Sequence, residues 1–316
     1  MISTVGRTMN YIAFGLKIKS NIKFQELFEN TISNDHDIDA ADVMILKTNS
    51  QEQPPLLTKN WLFEENRVLF KIENIAIFEI EEGNKIRVYP LDDYNERIVK
   101  LYILGTCVGV LLFQRNILPL HGSAIAIDGK AYLFIGEQGA GKSTLAATFI
   151  KNGYQLISDD VIPISINDEL VPMVIPAYPQ QKLWDDALSN IGKNPADFQS
   201  IYGREKKYCV PVVDKFCYDP MPLGGIFELR KTDKEKLTID PINGLQCLNI
   251  LSMHTYRNQL LNKMGLTNWH FRCITRLVNN ISILQIKRPE GIFTAELIKS
   301  EVISTIFKEK EIYHGS

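Results

Sequence analysis

The run Gly136-Glu137-Gln138-Gly139-Ala140-Gly141-Lys142-Ser143 has the residue types that a backbone cradle for phosphate requires. It fits the pattern G-x-x-x-x-G-K-[ST], the Walker A phosphate loop. The glycines let successive N–H groups curl inward toward phosphate oxygens, and no Cβ blocks their approach. Lys142 brings a point charge to the β- and γ-phosphates. The Ser143 hydroxyl is suited to ligating magnesium. The helix that starts here, continuing through Thr144, adds its positive N-terminal end. Four fixed positions would arise by chance in a chain this long roughly once in a hundred, so the setting decides. An apolar strand, Ala131–Ile135, runs directly in, and a helix from about Lys142 to Lys151, carrying Leu145 and Phe149, runs directly out. That is the strand–loop–helix context of a phosphate loop. Gly136, Gln138, Gly139, Ala140, Gly141, Lys142, Ser143 and Thr144 are therefore read as the binding residues for ATP or another nucleoside triphosphate with magnesium. Nothing in the sequence separates ATP from GTP.

Asp159 and Asp160 follow Ser143 by sixteen and seventeen residues, at the end of a short strand, Gln155–Ser158. In a parallel sheet the C-terminal ends of neighbouring strands share one edge, so a helix and a return strand would bring this pair beside the phosphates. One carboxylate could hold magnesium and the other could accept the proton of an attacking hydroxyl. Asp159 is assigned to the metal, with Ser143, and Asp160 to the base; the two roles could be exchanged. His121 opens the strand before the phosphate-loop hairpin and has small neighbours, Gly122 and Ser123. A lone histidine is more often structural; its functional reading is a polar group near the transferred phosphoryl. Arg204, Lys206 and Lys207 cluster before an apparent strand, Tyr208–Val213, and could supply positive charge over a transition state or meet an acidic substrate. A solvated loop accounts for them equally well. Arg257, after His254-Thr255-Tyr256, is a similar candidate. His36, His270 and His314 show no metal-ligand spacing.

The elements that must position these groups fall into two parts. Residues 1–98 read as a β-rich module for recognition or packing, with strands at Trp61–Phe70, Ile75–Glu81 and Lys85–Tyr89, a hairpin turn at Glu82-Gly83-Asn84, and an acidic loop at Asp35–Asp42. Residues 99–316 hold the phosphate loop. Leu101–Gln114 reads as a buried apolar helix, His121–Ile127 and Ala131–Ile135 as a hairpin across Asp128-Gly129-Lys130, and Val161–Ile166 with Leu170–Ile175 as a second hairpin. Lys182–Asn190 reads as a helix, Leu223–Arg230 as a strand, Gly244–Tyr256 and Asn268–Asn279 as helices, Ile281–Lys287 as a strand and Thr294–Phe307 as the closing helix.

The chain of 316 residues is 45% apolar and 23% charged, with a formal net charge of −2. That is the balance of a globular protein with a buried core, and it carries no broad basic footprint for nucleic acid. The five cysteines form no C-x-x-C pair, which argues against a disulfide framework or a cysteine zinc site and fits a reducing compartment. The apolar stretch Tyr11–Leu16 is too short for a signal peptide. Leu101–Phe113 falls short of the roughly 20 residues a membrane span needs. The expectation is a cytoplasmic protein without a membrane partner; homo-oligomerisation is left open.

His121-Gly122, the loop Gly136–Ser143 and Ser158-Asp159-Asp160, in that order and spacing, resemble the catalytic core of the HPr serine kinase/phosphorylase family over roughly residues 100–175. The resemblance implies an α/β mixed-sheet (α+β) core related to phosphoenolpyruvate carboxykinase. It also implies ATP, magnesium, serine phosphorylation, and an active-site set of His121, Lys142, Ser143, Asp159 and Asp160. The first hundred residues do not look like that family's N-terminal domain. The family's glycine-rich segment after the aspartate pair is replaced by Tyr178-Pro179, Gly203–Pro211 and Pro222-Leu223. The whole-chain layout is more similar to the HPr-kinase-like proteins of lasso-peptide and related peptide maturation, which implies a peptide or small-protein acceptor. A nucleotide-dependent switch and a small-molecule kinase are the alternative readings.

Overall fold

Two large sheets and one small sheet organise the described residues, which are 8–29, 41–49 and 52–314 of this computed structural model. The first sheet holds β1 (Met9–Ala13), β2 (Leu16–Ser20), β3 (Phe28–Glu29), β4 (Val43–Lys47), β5 (Trp61–Glu64), β6 (Arg67–Ile72), β7 (Ala76–Glu81) and β8 (Lys85–Pro90). Their order is β3-β1-β2-β4-β8-β7-β6-β5. The single strand expected at Trp61–Phe70 is two, because the chain reverses at Glu65-Asn66 and pairs Glu64 with Arg67. The expected turn before β8 is present: Glu82 and Gly83 take φ of 53° and 64°, the doubly left-handed geometry of a tight hairpin. Most of the expected acidic loop, residues 35–40, lies outside the described residues.

The β1–β2 hairpin was not anticipated. At its tip the Phe14 N–H donates to the Ala177 carbonyl at 2.9 Å, and the Phe14 ring packs edge-on against Tyr178 at 5.6 Å. Phe14, Val161, Ala177 and Tyr178 belong to one apolar core with Phe70, Phe78 and Val110. The first sheet is thus packed directly onto segments that lead into the phosphate-loop region.

α1 (Glu96–Tyr102) begins at Asn95, whose side chain accepts from the Arg97 and Ile98 amides, as an N-cap does. It passes through a wider π turn at Ile103–Cys107 into α2 (Val108–Gln114). The second sheet follows: β9 (Leu118–Ile127), β10 (Lys130–Gly136), α3 (Lys142–Lys151), β11 (Gln155–Ile166) and β12 (Pro172–Val174). A small side sheet is made by β13 (Gln180–Trp184), followed by α4 (Asp185–Asn190), β14 (Gln199–Ile201) and β15 (Arg204–Pro211). The second sheet is completed by β16 (Met221–Thr232), β17 (Thr238–Pro241), α5 (Leu245–Met253), α6 (Thr267–Asn280) and β18 (Ile283–Pro289), and α7 (Ala295–His314) ends the described chain.

β10 is apolar from Ala131 to Gly136, where it is buried, because it is covered on both faces. Leu133 and Ile135 face a core shared with Ile250 and Leu251 of α5 and Ile274 and Leu277 of α6. Tyr132 and Phe134 face Leu145 and Phe149 of α3 and Ile298 and Val302 of α7. The period of two along the strand makes this three-layer arrangement. The molecule is therefore mixed α/β: β10–β16 and β16–β18 are parallel, whereas β9–β10 and β9–β11 are antiparallel.

Three segments differ from the sequence expectation. The aspartate pair does not end a short strand on the edge of a parallel sheet. β11 has a bulge at Ile157, ahead of the pair, then runs in continuous register through both aspartates, antiparallel to β9, and on to Ile166. Lys182 lies in β13, and the helix expected from that residue starts only at Asp185, where two acids occupy the first turn, the place where negative charge meets the helix dipole. The strand expected at Tyr208–Val213 is shifted to Arg204–Pro211. All five cysteines are free thiols. Among the described residues no helix is long and apolar enough to cross a membrane.

Gly122 is where the sheet leaves no room. A Cβ there would sit 2.4 Å from the Phe134 carbonyl oxygen and 3.2 Å from Ile135 and Ile162 side-chain carbons. Gly122→Ala is expected to destabilise the fold by about 1–3 kcal/mol, the usual cost of overpacking a filled core. Thermal melting of the variant, followed by circular dichroism, checks this.

Candidate functional site

The phosphate loop leaves β10 with Gly136 at φ 144°, and a Cβ at that position would lie 2.4 Å from the Leu229 carbonyl oxygen. Gly141, at φ 103°, caps α3. The loop borders a cleft of about 1070 Å³ whose walls include Gln138, Gly139, Gly141, Lys142, Ser143 and Thr144. Lys142 is buried. Its Nζ donates back onto the loop, to the Gly136 carbonyl at 2.7 Å and the Glu137 carbonyl at 3.0 Å. Burial lowers its pKa, against the pull of Asp159 and Asp160.

Sheet register brings the acids to the loop. Asp159 pairs with Ser123 and Asp160 with Gly122 across β9, while Gly122 pairs with Ile135 across the hairpin to β10. Asp159 is buried yet fully bonded. Its Oδ1 accepts from Ser123 Oγ at 2.6 Å and from Ser143 Oγ at 3.0 Å, and its Oδ2 accepts from the Lys182 amide at 2.9 Å. Asp160 sits at φ 76°, a left-handed conformation that costs a non-glycine residue about 1–3 kcal/mol unless its surroundings fix it. They do: Lys182 Nζ donates to Asp160 Oδ2 at 2.6 Å, and His121 Nδ1 lies 2.9 Å from the Asp160 carbonyl oxygen and 3.5 Å from its Oδ1.

The electrostatics follow from burial. Desolvation alone would raise the Asp160 carboxyl, but the Lys182 ammonium, then His121, hold it well below the usual carboxylate range. Burial would lower Lys182, and Asp160 instead holds it well above the ordinary lysine value. The carboxylate's contribution to stability is therefore present above the ordinary carboxylate range and is lost as the pH falls below it. The ammonium's contribution is present below the ordinary lysine pKa and is lost as the pH rises through its folded value. The pair is intact across neutral pH.

His121 is lowered first by burial and then by the Lys142 charge, with Asp160 opposing. Because Nδ1 faces two acceptors, it carries the proton, and Nε2 is the basic nitrogen. In a two-dimensional NMR titration His121 is expected to titrate below the ordinary histidine value, because burial disfavours the charged imidazolium.

Sequence reasoning did not single out Lys182, which contacts both aspartates. Of the basic cluster, Lys207 lines the cleft and lies 5.6 Å over the Trp184 ring. Lys206 is exposed and does not line the cleft, because neighbouring strand residues point to opposite faces. The Arg204 side chain lies outside the described part of the molecule. Arg257 does reach the cleft: at φ 56°, it donates from Nη2 to Thr106 Oγ1 at 2.8 Å beside the π turn. The segment that carries it is pinned to β9, where the His121 amide donates to the His254 carbonyl at 2.7 Å. The Tyr256 ring stands 6.1 Å from that of His121.

Fold and site together describe a mixed α/β protein with a phosphate-loop sequence facing two acids across one cleft. No family model matches the chain. Among curated proteins it is 33% identical over 88 residues to an HPr kinase/phosphorylase of Mycoplasmopsis pulmonis (strain UAB CTIP), covering 27% of this chain and 27% of that protein. It is 26% identical over 121 residues to an HPr kinase/phosphorylase of Chlorobium phaeovibrioides, covering 38% of this chain and 29% of that protein. The chain spans less than a third of the length of these relatives. The solved HPr(Ser) kinase/phosphatase from Coxiella burnetii aligns with 62% of this chain and 95% of its own at 17% identity, with a TM-score of 0.37. The chain is thus HPr-kinase-like in sequence over part of its length.

Proposed function

We propose that this chain is a magnesium-dependent kinase that transfers the terminal phosphoryl of ATP to a serine hydroxyl of a peptide or small protein. The observation that carries the reading is convergence on one carboxylate. Ser143 at the start of α3, Ser123 of β9 and the Lys182 amide all donate to Asp159, while Asp160 borders the same cleft as the loop. The curated relatives, named as kinases of the protein HPr, support a protein-type acceptor.

Ser143 Oγ and Asp159 Oδ1, 3.0 Å apart, are hard oxygen donors of the kind magnesium takes, usually one or two carboxylates together with substrate phosphates. Among the described residues no group of three or more His, Cys, Asp or Glu could hold a metal alone, so phosphate oxygens and water would complete the shell. Magnesium held by Ser143 and Asp159 would supply charge that neutralises the phosphates. Lys142 binds those phosphates, Asp159 fixes Ser143, and Asp160 with His121 orients the acceptor hydroxyl and receives its proton. Phosphoryl transfer passes through a loose transition state, so a carboxylate of low basicity suffices for that role. The acceptor class is a ribosomally made precursor peptide, recognised by residues 1–98 and phosphorylated by residues 99–316 in a cytoplasmic setting.

The test is incubation with ATP, magnesium and candidate precursor peptides, followed by mass spectrometry. One added phosphate on a serine is the expected product. Intact ATP binding with no mass gain on any serine peptide would count against the kinase and for a nucleotide-dependent switch. The switch reading has one observation in its favour: the 2.6 Å contact of Lys182 occupies the Asp160 carboxylate.

A further inference from the structure

In-register residues cross the second sheet in the row Asp160, Gly122, Ile135, Glu228 and Gln285, from β11 through β9, β10 and β16 to β18. The phosphate loop springs from the strand at the middle of that row. The acids stand two strands to one side of it. β18 and the segment after it stand two strands to the other.

On that second side, Arg288 Nε donates to the Ala140 carbonyl at 2.8 Å, and its Nη2 lies 3.6 Å from where a Cβ on Gly141 would be. Gly291, Ile292, Phe293 and Thr294 then line the same cleft as the loop. Apolar surface is open here, with Ile292 62% and Phe293 46% exposed. A triphosphate whose terminal phosphate meets the acids must extend its α-phosphate and nucleoside the other way along the row.

We propose that Arg288, Ile292 and Phe293 form the nucleoside end of the cleft and bind the heterocyclic base of a nucleoside triphosphate. This rests on the nucleotide-binding reading above. The Phe293 ring stacks on the base, and Ile292 covers its edge. Arg288 braces the segment against Ala140 and presents Nη2 beside Gly141, on the path from α-phosphate to ribose. An apolar stacking platform with one cation at its side is a common way to hold a flat base without reading its sequence identity.

Calorimetric titration of the full chain with magnesium-ATP and, separately, with magnesium tripolyphosphate tests this. Phe293→Ala is expected to weaken ATP binding roughly tenfold, the effect of losing one base–aromatic stack. Tripolyphosphate affinity should be unchanged, and Phe293→Trp should restore ATP binding. Phe293 is exposed, so neither change threatens the core. Equal weakening of both ligands would overturn the proposal, because the residue would then act on the phosphates. ATP affinity untouched by Phe293→Ala would also overturn it while leaving nucleotide binding in place. A wild-type chain that binds neither ligand would remove the nucleotide reading and this inference together.

Discussion

Lys142→Ala is expected to reduce phosphotransfer by about 10²–10³-fold, the usual cost of removing one preorganised donor from a site where charge develops. The Lys142 ammonium is buried and spends its hydrogen bonds on two carbonyls of its own loop, Gly136 and Glu137. Those carbonyls are weaker partners than phosphate oxygens, so an arriving triphosphate draws the side chain off the loop toward itself. Its partial desolvation, which lowers its pKa, also strengthens that attraction, because charges interact more strongly where water is excluded. Magnesium-ATP affinity by calorimetry and phosphate incorporation into a serine peptide read the two parts of the effect. Far-UV circular dichroism separates them from misfolding. Binding and turnover both unchanged would exclude Lys142 from the phosphate site.

Asp160→Asn is expected to have two large effects of different origin. Turnover should fall by about 10²–10⁴-fold if the carboxylate takes the acceptor proton, with nucleotide affinity kept. Stability should also fall, because Lys182 is nearly buried and would be left without its counter-charge. Breaking such a pair from one side costs about 3–5 kcal/mol when both partners are fully buried. Asp160 retains some exposure, which puts the expected loss at the lower end of that range. Adding Lys182→Met in the Asp160→Asn background removes the stranded charge. It should return most of the melting temperature without returning turnover. A double variant that recovers both would show that Asp160 serves the fold alone. A single variant that keeps partner binding and nucleotide affinity, in a protein with no phosphotransfer at all, would favour the switch.

The parts of the site that were legible in the sequence are those encoded locally. The phosphate loop, the hairpin across Asp128-Gly129 and the helix through Leu145 and Phe149 each depend on residues within a few positions of one another. Left-handed φ at Asp128 and Gly129 bears out that hairpin turn. The continuation of β11 was hidden because Asp159-Asp160 reads as the polar start of a turn. Only partners from three other segments, Ser123, Ser143 and Lys182, make those carboxylates tolerable inside a strand. Lys182 was missed for the same reason. Its partner lies twenty-two residues upstream, and no helical or strand spacing encodes such a pair. One signal was present: Pro179 on one side and Asp185-Asp186 on the other delimit an extended stretch before a helix start. The β1–β2 hairpin shows the same lesson in the first sheet. Leu16-Lys17-Ile18-Lys19 alternates as a strand should, and Leu16 and Ile18 are buried. What the alternation could not reveal is that the hairpin tip at Phe14 docks on Ala177 and Tyr178, just ahead of Lys182.

A crystal structure grown with magnesium and a non-hydrolysable ATP analogue decides whether the loop and the aspartate pair form one phosphate site. The expected result is the triphosphate inside the loop with its terminal phosphate between Lys142 and the two aspartates, and a magnesium ion on the Ser143 hydroxyl. Nucleotide bound elsewhere, or no nucleotide at millimolar analogue, would contradict it.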